Sequence, residues 1–183
     1  MTLKLITAAT TWPVTRAEAK NQCRIDADLT ADDARIDMLI EAATMAAEHE
    51  LGDRALMTQT WERVLDEFPC VAIELGKQPV SSIVSVKYID ATEVEQTLSS
   101  ASYSHDTDTD EGLWLLPAIG TSWPSTLDTA NAVRVRFECG YGAAEDVPAA
   151  IKTWILLQIE HAYVRKQPPE WVDRLIDRYR VYA

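Results

Sequence analysis

The stretch whose side chains come nearest to a ligand set is Asp106-Thr107-Asp108-Thr109-Asp110-Glu111-Gly112, in which carboxylates alternate as they do in the first half of a calcium-binding loop. The rest of that loop is missing. Glu111 stands where the sharp turn needs glycine, Gly112 comes one place late, and Pro117 occupies the position of the closing bidentate glutamate. The stretch therefore reads as a solvated hairpin loop, and His105 beside it is too isolated to complete a metal set. His49 and His161 lie on other elements with no HExxH or HxH spacing. Cys23, Cys70 and Cys139 are widely spaced, odd in number and never in a CxxC pair, which argues against a disulfide framework, a zinc site or a dithiol redox centre; they read as buried thiols. No GxSxG or Walker A sequence occurs, and the six glycines sit at turns and helix ends. Carboxylate pairs abound, but adjacency in sequence without a pocket is weak evidence of acid/base work. The residues thus point to no enzyme activity, no cofactor and no metal.

The elements that would have to position any site begin with a long helix over residues 30–56. Thr30 is its expected N-cap, Ile36, Leu39, Ile40, Ala43, Ala47 and Leu51 form its buried stripe, and Asp37, Glu41, Glu48 and Glu50 are placed mostly on the opposite side. Gly52 ends it. The small residues Ala42, Ala43, Ala46 and Ala47 would let another helix, from this chain or from another copy, approach the backbone closely. Ahead of it, an extended lead ends at Trp12-Pro13, and Thr15 with Glu18 forms a capping box that opens a short helix to about Cys23. The two helices and their turn permit a helix-turn-helix reading, but the second begins with aspartates where a recognition helix presents Arg, Asn or Gln.

From Thr58 the apolar period changes to two. Strands are expected through Trp61, Arg63 and Leu65, through Val71, Ile73 and Leu75, and through Val84, Val86 and Tyr88. Weaker ones are expected over residues 93–98 and 113–116. In VRVRFEC, Val133, Val135, Phe137 and Cys139 face one way and Arg134, Arg136 and Glu138 the other. Residues 120–131 read as a surface loop pinned by Trp123-Pro124. Helical pattern then returns, with Asp146 as expected N-cap and Ile151, Trp154, Ile155 and Ile159 in a helix apolar around most of its circumference. Pro168-Pro169 is expected to stop it, and a basic terminal helix from about Glu170 carries Trp171, Leu175, Tyr179 and Arg180.

The fold class is therefore α+β: a helical body from N- and C-terminal helices with an inserted, mainly antiparallel β-sheet. One domain is expected over residues 1–183, divided into N-terminal helices at 1–57, a β subdomain at 58–147 and C-terminal helices at 148–183. The chain has 47% apolar and 25% charged residues, as folded domains do, and no run approaches the length of a membrane span. The start lacks the basic and apolar regions of a secretory signal, so the expected compartment is cytoplasmic, with no membrane partner. The net charge of −12 is uneven: residues 58–147 carry five Lys and Arg against fifteen Asp and Glu, whereas residues 148–183 carry six against four. So acidic a surface repels phosphate, which argues against specific nucleic-acid binding while leaving passage of DNA possible.

Several segments follow one another in a recognisable order: VTRAEAKNQCRID from Val14, DDARIDMLIEAATMAAEHELGDRAL from Asp32, TQTWERVLDEFP from Thr58 and QPVSSIVSVKYID from Gln78. Tyr103, Trp123-Pro124, VRVRFECGYG from Val133 and VPAAIKTWILLQIEHAYVRK from Val147 complete them. Together they resemble the phage head-tail connector family, HK97 connector-like and more closely the phiE125 gp8-like branch with an inserted β subdomain. The chain departs from the pattern after Asp90, where Ala-Thr-Glu stands in place of a turn with glycine, and in VRKQPP, where an acidic residue after Arg is usual.

The resemblance implies a structural protein of a tailed phage or prophage, assembled in the bacterial cytoplasm and resident in the virion neck. It implies a ring of copies below the portal protein, a tail-side completion protein as the other neighbour, and DNA that passes without specific binding. The alternative in the same particle is a tail-completion or capsid-decoration protein; an acidic enzyme subunit is the third reading. The family carries no catalytic residues. Within such a ring, the expected subunit contacts are Ile36, Ala42, Ala46, Trp171, Leu175, Tyr179 and Arg180, and the acidic residues expected to face the lumen are Asp106, Asp108, Asp110 and Glu111.

Overall fold

A computed structural model describes residues 2–52, 54–105 and 114–180. The chain divides into two compact units: Met1–Ala8 with Thr58–Gly140, and Ala9–Met57 with Tyr141–Ala183. The α+β class stands, with the sheet-bearing stretch inserted in the chain between two helical stretches. Two boundaries differ from the expected ones. The N-terminal lead joins the sheet unit, and that unit closes at Gly140 rather than at residue 147.

The helical unit contains α1 (Arg16–Gln22), α2 (Asp33–Glu50) and α3 (Ala149–Tyr163), followed by 3-10 turns at Glu170–Leu175 and Asp177–Tyr179. The capping box of α1 forms as its sequence dictates: Glu18 N–H donates to Thr15 Oγ1 at 3.2 Å, and Thr15 N–H donates to Glu18 Oε2 at 2.6 Å. That backbone donor, with the Thr15 hydroxyl, holds the Glu18 carboxyl below its usual range. Thr30 is not the cap of α2. The helix starts three residues later behind Asp32, whose side chain makes no capping bond; its Oδ2 accepts instead from the Tyr163 hydroxyl at 2.8 Å. Of the expected inner stripe, Ile36, Ile40, Ala43, Ala47 and Leu51 are buried and Leu39 is half-buried against them. They share one core with Val14, Ala19, Ile151, Trp154, Ile155, Ile159, Val172 and Ile176.

Helix ends here depend on left-handed residues. Gly52 (φ 76°) closes α2, but α1 and α3 close on arginines, Arg24 and Arg165, both at φ 57°. After α3, Arg165 N–H reaches Ala162 O at 3.2 Å and Lys166 N–H reaches His161 O at 2.8 Å, the paired bonds of a Schellman motif with arginine where glycine is usual. The helix is thus over before Pro168-Pro169. Asp146 does not cap α3 either; its carboxylate accepts from Ala143 N–H at 3.1 Å, and Pro148 occupies the cap position. The expected terminal helix is a pair of 3-10 turns.

The sheet unit holds two antiparallel sheets. The larger has the order β1 (Thr2–Thr7), β2 (Gln59–Leu65), β8 (Val133–Cys139), β4 (Val80–Ile89), β5 (Glu95–Thr97); the smaller has the order β3 (Ile73–Glu74), β7 (Trp114–Pro117), β6 (Tyr103–His105). In β8 the alternation holds, with Val133, Val135, Phe137 and Cys139 buried and the intervening residues on the wet face. In β4 it breaks. Ile83 pairs with Phe137 and Ser85 with Arg136, so Val84 is an extra residue bulged from the ladder and is 52% exposed, not the inward residue that its spacing predicted. Val71 lies outside β3 and is exposed for the same reason: alternation alone does not place a residue in a ladder. The turn after β4 is built by Asp90, whose carboxylate accepts from Thr92 N–H (2.8 Å), Thr92 Oγ1 (2.6 Å), Val94 N–H (3.1 Å) and Gln96 Nε2 (2.8 Å). Those four donors, the Thr92 hydroxyl foremost, hold the Asp90 pKa down to about 2. Glu93 takes φ 65° in the Ala-Thr-Glu turn.

Candidate functional site

The groups with chemical potential are dispersed. Among the described residues no three His, Cys, Asp or Glu side chains converge as a metal set. His105 is exposed on β6, and His161 Nδ1 sits 2.8 Å from Leu157 O on its own helix. Cys139 is buried, Cys23 is half-buried and Cys70 is exposed, so the expectation of three buried thiols fails for Cys70, which lies in the irregular chain before β3. Burial pushes the Cys23 thiol pKa up, helped by the charge of Glu160.

A cavity of about 510 Å³ in the helical unit is lined by Arg16, Lys20, Asp26 and Asp33 among others. Its charges serve each other. Lys20, 5% exposed, places Nζ 2.5 Å from Asp33 Oδ1, 2.8 Å from Leu29 O and 3.2 Å from Ala27 O. Arg16 spans Asp33 at 3.1 Å and Asp37, and its hydrogen bond holds the Asp37 carboxyl below the usual range. Arg35 lies over the Tyr163 ring and donates to Tyr163 O at 2.8 Å, while Trp154 Nε1 donates to Asp173 Oδ1 at 3.0 Å. These interactions tie α1, α2, α3 and the C-terminal turns together. Their role is structural.

On the sheet unit, Arg136 pairs with Glu62 at 2.8 Å and Lys87 with Glu95 at 2.9 Å across neighbouring strands. Trp123 is pinned as expected, stacked on Phe68 at 4.9 Å with its Nε1 donating to Val71 O at 3.0 Å. Asp106, Asp108, Asp110 and Glu111 lie outside the described residues.

On the helical unit, the expected contact residues separate. Ile36 is 0% exposed in the core and is not available to a neighbour, a correction that follows from its place on the inner stripe. Leu175 and Tyr179 are half-buried against that core, and Arg180 is held by Glu50 at 3.1 Å and Asp177 at 2.9 Å. Ala42 and Ala46 are exposed, and Trp171 is 53% exposed. Met38 (69%) and Met45 (61%) were not singled out. Their spacing with Ala42 was present in the sequence, but the stronger inner stripe and the assignment of the other side to carboxylates concealed it. The outer side of α2 is apolar, with Asp37 turned to Arg16 and Glu48 accepting from Leu56 N–H at 2.9 Å.

A profile of the family described as phage gp6-like head-tail connector protein matches residues 15–111. No curated protein sequence matches the chain. Among solved structures, a chain in the virion of a native gene transfer agent particle is similar at 23% identity and a TM-score of 0.82, covering 100% of this chain and 97% of that one. A chain in the neck of the empty particle, computed with C6 symmetry, has 23% identity, a TM-score of 0.81 and the same coverage. One in the neck of the native particle, computed with C12 symmetry, has 19% identity and a TM-score of 0.73, again over 100% and 97%.

Proposed function

This chain belongs to the phage gp6-like head-tail connector family, and on that premise we propose that it is a structural neck protein of a tailed phage or prophage. In this reading both units act as one connector domain, copies of which form a ring between the portal protein and a tail-side completion protein. The observation that carries it is the family match across α1, α2 and the strands β2 to β6. The likeness over the whole chain to proteins of gene transfer agent necks supports it through the fold.

The charge distribution suits a conduit. The sheet unit carries six Lys and Arg against thirteen Asp and Glu, and a wall of that sign opposes the counterion release that drives DNA binding, so DNA slides past. Asp106, Asp108, Asp110 and Glu111 are the residues proposed to face the lumen. A closed ring needs heterologous contacts, one patch on a different patch of the next copy.

The test is assembly with this protein withheld. Heads that fill with DNA but stay tailless, with portal-end density restored by adding the purified chain, are the expected result in negative stain. Density along the tail tube or over the shell would replace the neck assignment with tail completion or decoration.

A further inference from the structure

Helix α2 has two apolar faces. Directly across from the buried stripe, Ala34, Met38, Ala42, Met45 and His49 follow one another at spacings of four and three and are all exposed or half-exposed. Glu41 borders this outer face, is exposed, and makes no ion pair among the described residues. The C-terminal 3-10 turns of the same unit present a second patch of different chemistry. Val172 and Ile176 are buried and anchor it, which leaves Trp171, Arg174 and Arg178 toward solvent. Arg174 has no ion pair among the described residues, and Arg178 lies over the ring of Tyr179, 4.9 Å from its centroid.

Neither patch complements itself. Two α2 outer faces brought together would set Glu41 near Glu41, and two C-terminal patches would crowd four arginines. The two are complementary to each other: the indole of Trp171 fits against thioethers, which favour aromatic contact, and Glu41 finds Arg174 or Arg178. We infer that the outer face of α2 on one copy receives the Trp171–Arg174–Arg178 patch of the next copy. The contact is heterologous, so it repeats from copy to copy instead of stopping at a dimer, as the ring of the connector reading requires. It rests on the connector reading for the identity of the occupant. With about five side chains on one side and three on the other, a single contact is smaller than a stable pair requires, so dilute chains stay apart until a portal gathers them.

The test uses the full chain with Cys70→Ser as background and a short bismaleimide cross-linker, on cognate portal and at high protein concentration. Met45→Cys alone and Trp171→Cys alone are expected to give no more product than the background. Mixed, they should give dimers, and the chain carrying both should give a ladder. Met45→Glu, exposed and so neutral to folding, should raise the concentration for half-assembly by about tenfold or more. Glu41→Arg should weaken assembly, and Arg174→Glu with Arg178→Glu should restore it. Dimers from Met45→Cys alone, or rings that form with no ladder, overturn this contact and leave the connector reading intact. If the unaltered chain forms no ring with portal, the connector reading itself fails and the contact with it.

Discussion

Replacing Lys20 by methionine removes one charge from the point where α1, residues 27–29 and the start of α2 are joined, and keeps nearly the same stem volume. Lys20 is 5% exposed and its ammonium serves Asp33 and the carbonyls of Ala27 and Leu29. Breaking a buried ion pair by removing one partner costs about 3–5 kcal/mol, because the remaining charge is stranded. Two features place this case at the low end. Asp33 retains Arg16 at 3.1 Å, and its side chain is 23% exposed. The expected loss is about 3 kcal/mol. At the usual urea dependence this lowers the midpoint by about 1–3 M, read from the helical far-UV circular dichroism signal, which follows the helical unit. Lys20→Met combined with Asp33→Asn should cost less than the two separate losses added, by at least about 1 kcal/mol. A loss below about 1 kcal/mol for Lys20→Met, or strict additivity in the double variant, would refute the claim that this pair is a structural joint.

The left-handed residues give a second prediction, of opposite sign. Arg165→Gly and Glu93→Gly should each stabilise the protein by about 1 kcal/mol, since L side chains are strained at these positive φ values and glycine is not; a thermal midpoint that falls in either variant contradicts it. The Asp90 turn gives a third. Its folded pKa of about 2 lies below the ordinary 3.8, so its contribution is present in full above about pH 4 and disappears as pH falls through about 2. A carboxyl NMR titration should show Asp90 protonating near 2, with faster amide exchange at Thr92 and Val94 below that point. Titration near 3.8 would show that the four donors do not hold the carboxylate in solution.

What the sequence determined by itself was what depends on near neighbours along the chain. The Thr15–Glu18 capping box, the inner stripe of α2 and the alternation of β8 could all be read, because side chains three or four apart in a helix, or two apart in a strand, share a face whatever lies beyond. The ordered segments likewise led to the connector family, which the match over residues 15–111 bears out. Tertiary structure decided whatever depends on a distant partner. Residues 2–7 became a sheet edge only because β2 offered them a ladder, with Thr2 opposite Val64. Val84 turned outward because β8 offers no residue opposite it between Phe137 and Arg136. Asp32, at the start of α2, accepts from Tyr163, far along the chain, and makes no capping bond. The division of α2 into a covered face and an open one followed from which side α3 occupies, and periodicity alone cannot tell an apolar face that is buried from one left open to solvent.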